Sequence, residues 1–293
     1  MAVWLVTILY NSAEALPAFL GCLRAQTHGE WRLVAVDNAS RDEGAAILEA
    51  AGDPRVTVLR NGRNLGFAAA VNQGLRHAAA ARDGDVFLLL NNDTRFAPDF
   101  LAELLAARER HAAEVLAPRV MRLDDPGVSW YAGGDIDDGW VLHNTHDVHD
   151  EADATPHRLV GFASGCCLLL TRRVLDTVGL LDESFFVYWE DTDLSIRLGR
   201  AGIPIHYVRD PFLLHEGGGS SGGPRSPVVV RLFNRHHILL IRKYQGRAAA
   251  LRSVARLLAK KLRQPHTHHG AWRDVVPAML GGLVAPLKPV PRL

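Results

Sequence analysis

Short apolar runs alternate with segments of helical periodicity over the first 123 residues of the chain. Val3–Leu9 and Val86–Leu90 are apolar at nearly every position, which is typical of strands buried on both faces of a sheet. Between the runs, apolar residues recur every three or four positions, as at Leu16, Phe19 and Leu23. The alternation predicts an α/β fold with a mostly parallel central sheet covered by helices.

The same patterns give approximate bounds for each predicted element. Strands are predicted at 3–9, 32–36, 56–59, 86–90, 115–121, 166–171 and 205–208. Helices are predicted from Asn11-Ser12 to about 23, and at 42–51, 67–81, 98–111, 172–178, 190–201 and 228–263. Residues 124–160 are rich in Gly, Asp and His and predict a long irregular excursion.

Charge divides the chain into two parts, although 33 Lys and Arg against 32 Asp and Glu give a net charge of only +1. Residues 217–293 hold 14 Lys and Arg and one acid, so they carry +13, and residues 1–216 carry −12. A flexible Gly/Ser segment from Gly217 to Gly223 separates the two parts. We expect no nucleic-acid partner. The three cysteines give no disulfide framework, which fits a reducing compartment.

The basic tail has a helical apolar stripe with cations on its other faces. The stripe consists of Leu251, Val254, Leu257, Leu258 and Leu262. One interpretation is peripheral contact with an anionic membrane or another polyanion, and the other is packing against the acidic part. No basic leader precedes the first strand and no apolar run reaches the ~20 residues of a bilayer span. We therefore expect a cytoplasmic protein, for which the inner face of the cell membrane is the candidate site of peripheral binding.

Polar clusters stand where the predicted parallel strands end, which is the edge where such sheets bind ligands. They are Tyr10-Asn11, Asp37-Asn38 and Asn91-Asn92-Asp93. Asp93 is a candidate ligand for Mg²⁺ or Mn²⁺, which prefer oxygen and often share a site with phosphates. The alternative for Asp93 is a β-turn. His215 is a candidate second ligand, and its alternative is a structural or solvated histidine.

Asp37 is a candidate for recognising a nucleobase. An ionised carboxylate only accepts hydrogen bonds, so it suits the N3–H of uracil or thymine rather than the N3 lone pair of cytosine. An Asx turn that caps the next helix is the alternative. A G-x-G-x-x-G motif does not follow the first strand, so the dinucleotide-binding fingerprint is absent.

Three acids open the predicted helix at 190–201, directly after an aromatic run, Phe185 to Trp189. Aromatic rings beside carboxylates suit a sugar, although acids in a first helical turn are also favoured by the helix dipole alone. Three histidines at 143, 146 and 149 have a spacing that allows a zinc site, but a solvated loop is the favoured interpretation. The histidines at 266, 268 and 269 are interpreted in the same way.

Taken together, these clusters resemble the inverting glycosyltransferases of family 2, which have the GT-A fold, and in particular their rhamnosyltransferase-like branch. The resemblance covers about residues 3–245. Its segments are Val6 to Ser12, Val36 to Asp42, Asn64 to Ala68 with Asn72, Leu89 to Thr94, Ser164-Gly165, Leu181 to Phe186, Trp189 to Leu194 with Arg197, and His215 to Ser220. No single segment is specific to this family, but the order and spacing of the segments are.

The resemblance implies a role for each matching position. The nucleotide-sugar site would contain Tyr10, Asn11, Asp37, Asn64, Asn91 and Gly165. The metal ligands would be Asp93 and His215, and the catalytic base would be Asp191. Trp189 would be an acceptor-stacking ring, and Glu190 and Asp193 would be acceptor-side or supporting acids. Asn91 replaces the first Asp of the family's D-x-D element, which leaves Asp93 as its credible metal ligand and Asn91 as at most a ribose contact.

The implied fold is a GT-A catalytic domain at 1–216, with nucleotide binding at about 1–123 and acceptor binding at about 124–216, followed by a basic helical extension at 217–293. The implied activity is metal-dependent transfer of a sugar, plausibly rhamnose, from a dTDP- or UDP-sugar to a cell-surface or lipid-linked glycan. Two alternatives stay open. One is a sugar-nucleotide-binding protein with little catalysis, and the other is a sugar nucleotidyltransferase, for which residues 7–12 lack a phosphate-binding loop.

Overall fold

The structure, a computed structural model, describes residues 2–136, 142–144, 149, 155–217, 226–263 and 270–293. Its strands are β1 (Val3–Leu9), β2 (Trp31–Asp37), β3 (Val56–Arg60), β4 (Val86–Leu90), β5 (Thr94–Phe96), β6 (Val115–Arg122), β7 (Ser129–Tyr131), β8 (Gly134–Ile136), β9 (Leu142–Asn144), β10 (His157–Val160), β11 (Cys167–Thr171) and β12 (Ile205–His215). Its helices are α1 (Leu16–Arg24), α2 (Gly44–Ala50), α3 (Phe67–Ala80), α4 (Phe100–Arg110), α5 (Arg172–Val178), α6 (Glu190–Arg200), α7 (Pro227–Arg263) and α8 (Trp272–Val284).

Ten of the described strands form one sheet in the spatial order β10-β12-β6-β11-β4-β1-β2-β3, with β5 beside β12 and β7 beside β6. Strands β4, β1, β2 and β3 are mutually parallel, and so are β6 and β12. Strand β11 is antiparallel to both β4 and β6. The predicted α/β fold is confirmed, and the sheet is mixed, not purely parallel, because β11 and other strands run against the main direction.

The change of strand direction follows from the connections. A parallel neighbour needs a long crossover, usually a helix, to bring the chain back to the same end of the sheet. Helices α1, α2 and α3 supply those crossovers for β1 to β4. After β6 the described chain runs through the short strands β7 to β10 without a helix, so β11 enters the sheet from the opposite end.

The main core lies around the parallel strands. Leu5, Val34 and Leu88 have no exposed surface, because helices cover both faces of the sheet. Helix α3 lies so close to the sheet that a Cβ on Gly74 would come within 2.4 Å of Val6 Cγ1. This packing fixes the carboxyl ends of β1, β2 and β4 relative to one another.

Several element bounds differ from the prediction. Strand β12 continues to His215 instead of ending at residue 208, since the chain shifts register between Val208 and Phe212, around a cis Asp210-Pro211 bond, and then pairs again. Its strand-breaking residues 209–211 explain the shorter prediction. Helix α1 begins at Leu16 and not at Asn11, because Asn11 has φ 51° and belongs to a turn. Strand β5 and helix α8 were not predicted.

The tail is helical, as predicted, and α7 packs against α8 with a kink at Gly246, where φ is 84°. Of the predicted stripe, Val254 is buried, whereas Leu251 and Leu262 are exposed. No helix in the described ranges combines the length and the apolarity that crossing a membrane requires. The predicted Gly/Ser segment beyond Gly217, the histidine at 146 and those at 266, 268 and 269 lie outside the described residues, as does the side chain at 143.

Candidate active site

The polar clusters that follow β1, β2 and β4 are joined by hydrogen bonds at the carboxyl edge of the sheet. The side-chain amide of Asn92 donates to the Ile8 carbonyl over 2.7 Å. The N–H of Asn38 donates to the Leu9 carbonyl over 2.9 Å. The three polar clusters therefore lie together at the edge of the sheet that was predicted to bind ligands.

Asp37 is the last residue of β2 and is almost fully buried. Its Oδ1 accepts the N–H of Ser40 over 3.0 Å, and its Oδ2 lies 3.8 Å from Nη1 of Arg60. The Asx turn considered above is thus present. It uses one carboxylate oxygen, which leaves acceptor capacity on the other.

Asn38 organises the loop that contains Asn64. Its Nδ2 donates to Asn64 Oδ1 over 2.9 Å, and its Oδ1 accepts the N–H of Leu65 over 2.9 Å. Asn64 Oδ1 also accepts the N–H of Gly66. The sequence places Asn38 in a polar cluster at the ligand edge but does not indicate this supporting role, because a side chain that supports a loop 26 residues away leaves no local signal.

Tyr10 and Asn11 form the turn after β1. Asn11 adopts a left-handed conformation, and its Oδ1 accepts the N–H of Arg41 over 2.8 Å. Its own N–H donates to Ser40 Oγ over 3.1 Å. Asn11 therefore fixes this turn to the loop that follows Asp37, while Tyr10 stays 36% exposed beside it.

Asp93 and His215 are brought together by strand pairing. Strand β5 pairs with β12 so that Thr94 is opposite His215, and the N–H of Glu216 donates to the Asp93 carbonyl over 3.0 Å. His215 Nε2 consequently lies 3.2 Å from Asp93 Oδ1. The Trp130 ring packs edge-on against the His215 ring. Sequence reasoning gave Trp130 no role.

The surroundings of His215 favour a positive charge. Burial alone lowers the pKa of its imidazole, but the neighbouring Cys166 and the Asp93 carboxylate outweigh burial and raise the pKa to about 10. When the imidazole is protonated, its Nε2–H faces Asp93 Oδ1 across 3.2 Å. A bound divalent cation would compete with that proton for the same nitrogen.

The pair fits a hard divalent cation. Ligands held at 2.0–2.1 Å on adjacent octahedral positions lie about 3 Å apart, close to the 3.2 Å between His215 Nε2 and Asp93 Oδ1. Within the described ranges, no cluster of three or more His, Cys, Asp or Glu forms a metal site. Two protein ligands leave several coordination positions for phosphate oxygens and water.

Asp191 lies in the first turn of α6 and faces the Gly165 backbone. Its Oδ2 accepts the N–H of Gly165 over 3.2 Å, and its Oδ1 accepts the N–H of Thr192 over 2.7 Å. Burial raises the pKa of Asp191, although these hydrogen bonds oppose the shift. A Cβ on Gly165 would lie 3.7 Å from Asp191 Cβ, which is an ordinary van der Waals contact, so packing against Asp191 does not by itself require glycine here.

Cys166 connects the two halves of the site. It follows Gly165 directly, and its thiol contacts the His215 imidazole. Its carbonyl accepts the N–H of Asn91 over 2.9 Å, which places Asn91 against the same segment. Asp93, His215 and Asp191 are therefore linked through two consecutive residues.

Glu190, next to Asp191, is buried, and its Oε2 has no hydrogen-bond partner among the described residues. Burial and, to a smaller extent, the Asp191 charge raise its pKa well above the usual value. Both influences favour the neutral, protonated form of Glu190. A neutral carboxyl group of this kind can donate a hydrogen bond to a ligand hydroxyl.

Two of the acceptor-side candidates, Trp189 and Asp193, are packed against the tail helix. The Trp189 ring is 6% exposed, stacks on His237 and donates its Nε1–H to the Phe233 carbonyl over 3.0 Å. Asp193 has no exposed surface and is bound by residues of α6 and α7. Both side chains are covered by the tail helix, which packs against this turn, and their roles toward an acceptor stay predictions.

Residues 4–179 match the sequence family described as glycosyl transferase family 2. The chain therefore belongs to glycosyltransferase family 2 and is an enzyme of the hexosyltransferase type. It is 28% identical over 263 residues to an N-acetylglucosaminyl-diphospho-decaprenol L-rhamnosyltransferase of Mycobacterium tuberculosis, covering 82% of this chain and 84% of that protein. It is 24% identical over 225 residues to the dTDP-rhamnosyl transferase RfbF of Shigella flexneri, covering 75% and 70%.

Solved structures confirm the GT-A type of fold. The mannosyltransferase PcManGT of Pyrobaculum calidifontis, solved with GDP-Man and Mn²⁺, aligns with a TM-score of 0.58 at 16% identity, covering 96% of this chain and 86% of that one. GalNAc-T7, solved with UDP, GalNAc and Mn²⁺, aligns with a TM-score of 0.59 at 17% identity over 79% of this chain. The chain spans about half of the GalNAc-T7 chain, 48%.

Proposed function

We propose that this chain is an inverting glycosyltransferase that uses Mg²⁺ or Mn²⁺. It transfers a sugar, with rhamnose as the favoured one, from a dTDP- or UDP-sugar to a hydroxyl of a lipid-linked or cell-surface glycan. The names of two relatives support this choice. One names a decaprenol-linked N-acetylglucosaminyl diphosphate, and the other a dTDP-rhamnosyl donor.

The proposal rests on one observation, the series of contacts from the Asp93–His215 pair through Cys166 to Gly165 and Asp191. A cation-binding pair and a base on neighbouring segments suit a reaction between a diphosphate-linked sugar and an alcohol. Asp93 and His215 would hold the cation, which when bound supplies Lewis-acid stabilisation of the charge on the leaving diphosphate.

Asp191 acts as the general base. Its carboxylate takes the proton of the acceptor hydroxyl while that oxygen attacks the anomeric carbon. The new carbon–oxygen bond forms opposite the bond to the nucleoside diphosphate, whose oxygen leaves with the bonding electrons, so one displacement inverts the configuration. Because burial raises its pKa, Asp191 is a stronger base than an exposed aspartate.

Two further groups complete the proposed site. The protonated Glu190 donates a hydrogen bond to an acceptor hydroxyl, which gives its buried Oε2 a partner. Asp37 accepts from N3–H of the uracil or thymine base, while Tyr10, Asn11 and Asn64 line the nucleotide pocket around it.

We propose that the enzyme works in the cytoplasm, in contact with the membrane that carries a lipid-linked acceptor. Exposed Leu251 and Leu262 lie on the same basic helix as exposed Arg256 and Lys260, which supports peripheral binding to anionic lipid. Sedimentation with vesicles that contain or lack anionic lipid tests this contact. Equal sedimentation with the two vesicle types would contradict it.

The decisive experiment incubates the protein with Mn²⁺, a panel of dTDP- and UDP-sugars and a polyprenyl-diphosphate-linked GlcNAc acceptor, and measures release of the nucleoside diphosphate. Asp191→Asn should reduce the rate by roughly 10²–10⁴-fold with dTDP binding unchanged. Asp176→Asn, at an exposed position of α5, is the matched control. Nucleotide binding without release in the wild type would favour the binding-protein alternative.

A further inference from the structure

The turn that precedes Asp191 has a strained backbone. Tyr188 and Trp189 are consecutive non-glycine residues with positive φ values, 67° and 73°. Large side chains rarely adopt this conformation, and it persists only where surrounding contacts hold it. Trp189 caps the N-terminus of α6, so this turn sets the direction in which the first turn of α6 presents Asp191.

Helix α7 of the basic tail supplies contacts that hold the turn. His236 Nδ1 and the Val187 carbonyl are 2.8 Å apart, and Trp189 Nε1 donates to the Phe233 carbonyl over 3.0 Å. Burial lowers the pKa of His236, so the ring is neutral and donates from Nδ1. The Trp189 and His237 rings stack 4.5 Å apart. The family match ends at residue 179, so none of these contacts lies within it.

One cation of α7 joins the two ends of the segment that contains the turn. Lys243 Nζ donates to Asp182 Oδ2 over 2.7 Å and also to Asp193 Oδ1. Asp182 precedes the turn and Asp193 follows it, and neither side chain has exposed surface. The Lys243 ammonium thus closes residues 182–193 into a loop.

The charges around Lys243 make this closure sensitive to a single substitution. Tyr244 donates its hydroxyl to Asp193 Oδ1 over 2.7 Å, and Arg197 Nε donates to Asp193 Oδ2 over 2.8 Å. Within the part of the chain that the structure describes, Lys243 is the one cation that pairs with Asp182. Its removal leaves Asp182 as a buried charge without a counter-ion, which is costlier than the loss of an exposed pair.

We infer that Lys243 is a positioning residue for glycosyl transfer: its ammonium closes residues 182–193 and thereby holds Asp191 in line with the acceptor hydroxyl. The inference rests on the proposed role of Asp191. With this role for Lys243, the first part of the basic tail contributes to catalysis, although it lies outside the part of the chain that is expected to bind the nucleotide.

Lys243→Met, which keeps the length of the side chain and removes its charge, tests the inference. We expect kcat to fall at least ~10-fold, while KM for the donor sugar and dTDP affinity change less than about twofold. Arg110→Met, which removes a positive charge at an exposed position of α4, should leave kcat unchanged. A kcat within twofold of wild type, or a parallel loss of dTDP binding, would overturn the inference.

Hydrogen exchange separates this test from the proposed function, because it needs no turnover. Lys243→Met should speed amide exchange in residues 183–192 and leave the loops at 38–41 and 61–66 unchanged. Unchanged exchange in 183–192 overturns the inference even in a fully active enzyme. If Lys243→Met does not fold, the paired variant Asp182→Asn/Lys243→Met removes the uncompensated charge, and the same two readouts apply with the same thresholds.

Discussion

The side-chain amide of Asn72 and the backbone of Leu181 exchange two hydrogen bonds. Asn72 Nδ2 donates to the Leu181 carbonyl over 2.9 Å, and the Leu181 N–H donates to Asn72 Oδ1 over 3.0 Å. Asn72 lies in α3, on the nucleotide side of the sheet, whereas Leu181 begins the segment that leads to Asp191. One fully buried amide therefore couples the proposed nucleotide site to the proposed base.

Asn72→Ala should lower the free energy of unfolding by roughly 2–4 kcal/mol, because it leaves the Leu181 N–H and carbonyl buried and unpaired. Urea denaturation measures the change. Gln73→Ala is the matched control, since Gln73 exchanges two hydrogen bonds with Asn61 at a less buried position, and we expect a loss of about 1 kcal/mol. Equal losses in the two variants would contradict the special role of the buried pair.

Asp93→Asn and His215→Gln should each abolish the effect of Mn²⁺ on nucleotide binding. We expect the wild type to bind dTDP at least ~10-fold more tightly with Mn²⁺ than with EDTA, a difference of about 1.4 kcal/mol. Isothermal titration calorimetry measures both affinities. His77→Gln, at an exposed position, should behave as the wild type does. A gain from Mn²⁺ that survives in both site variants would exclude this pair as the metal ligands.

The ligand edge of the site was predictable because its signals are local. A buried strand shows as a continuous apolar run, and the polar residues that end it mark the carboxyl edge of the sheet. Asp37 and Asp93 were found in this way. His215 was also identified as a candidate, but the strand pairing that places it beside Asp93 was not predicted, since the pairing of Thr94 with His215 depends on the extension of β12 beyond Pro211.

The burial of Trp189 and Asp193 could not be predicted from the sequence, for a different physical reason. Trp189 and Asp193 stand in a motif that local reasoning assigns to a sugar site, but α7 covers both from about 50 residues further along the chain. Nothing near residue 189 signals that contact. Helix α7, on the other side of that contact, does carry one indication in its sequence. Lys243 is one of only four lysines in an arginine-rich chain.

Asp37→Asn should change the base preference of the nucleotide site. Asp37 Oδ1 already accepts the Ser40 N–H, so the asparagine oxygen would keep that bond and its NH₂ group would replace Oδ2. A donor then meets the N3–H of thymine or uracil, whereas cytosine N3 gains a partner. We expect dTDP affinity to fall ~10-fold or more and CDP affinity to rise, as measured by competition binding.

The matched control for this substitution is Asp99→Asn, at an exposed position before α4, which should leave both affinities unchanged. Equal losses of dTDP and CDP binding in Asp37→Asn would show that Asp37 only supports the loop through Ser40.

Three histidines outside the site should make the fold sensitive to acid. His157 Nε2 and His206 Nδ1 are 3.0 Å apart, and the His111 ring stacks on His157 at 3.7 Å. Burial and neighbouring imidazoles lower the pKa of His157 and His206 from the ordinary value of 6.5. The unfolded chain therefore binds more protons than the folded one below pH 6.5. The free energy of unfolding consequently falls as the pH drops through that value. His157→Gln should lose less Tm than the wild type between pH 7.5 and pH 5, whereas His77→Gln should lose as much. Identical losses in all three proteins would contradict this assignment.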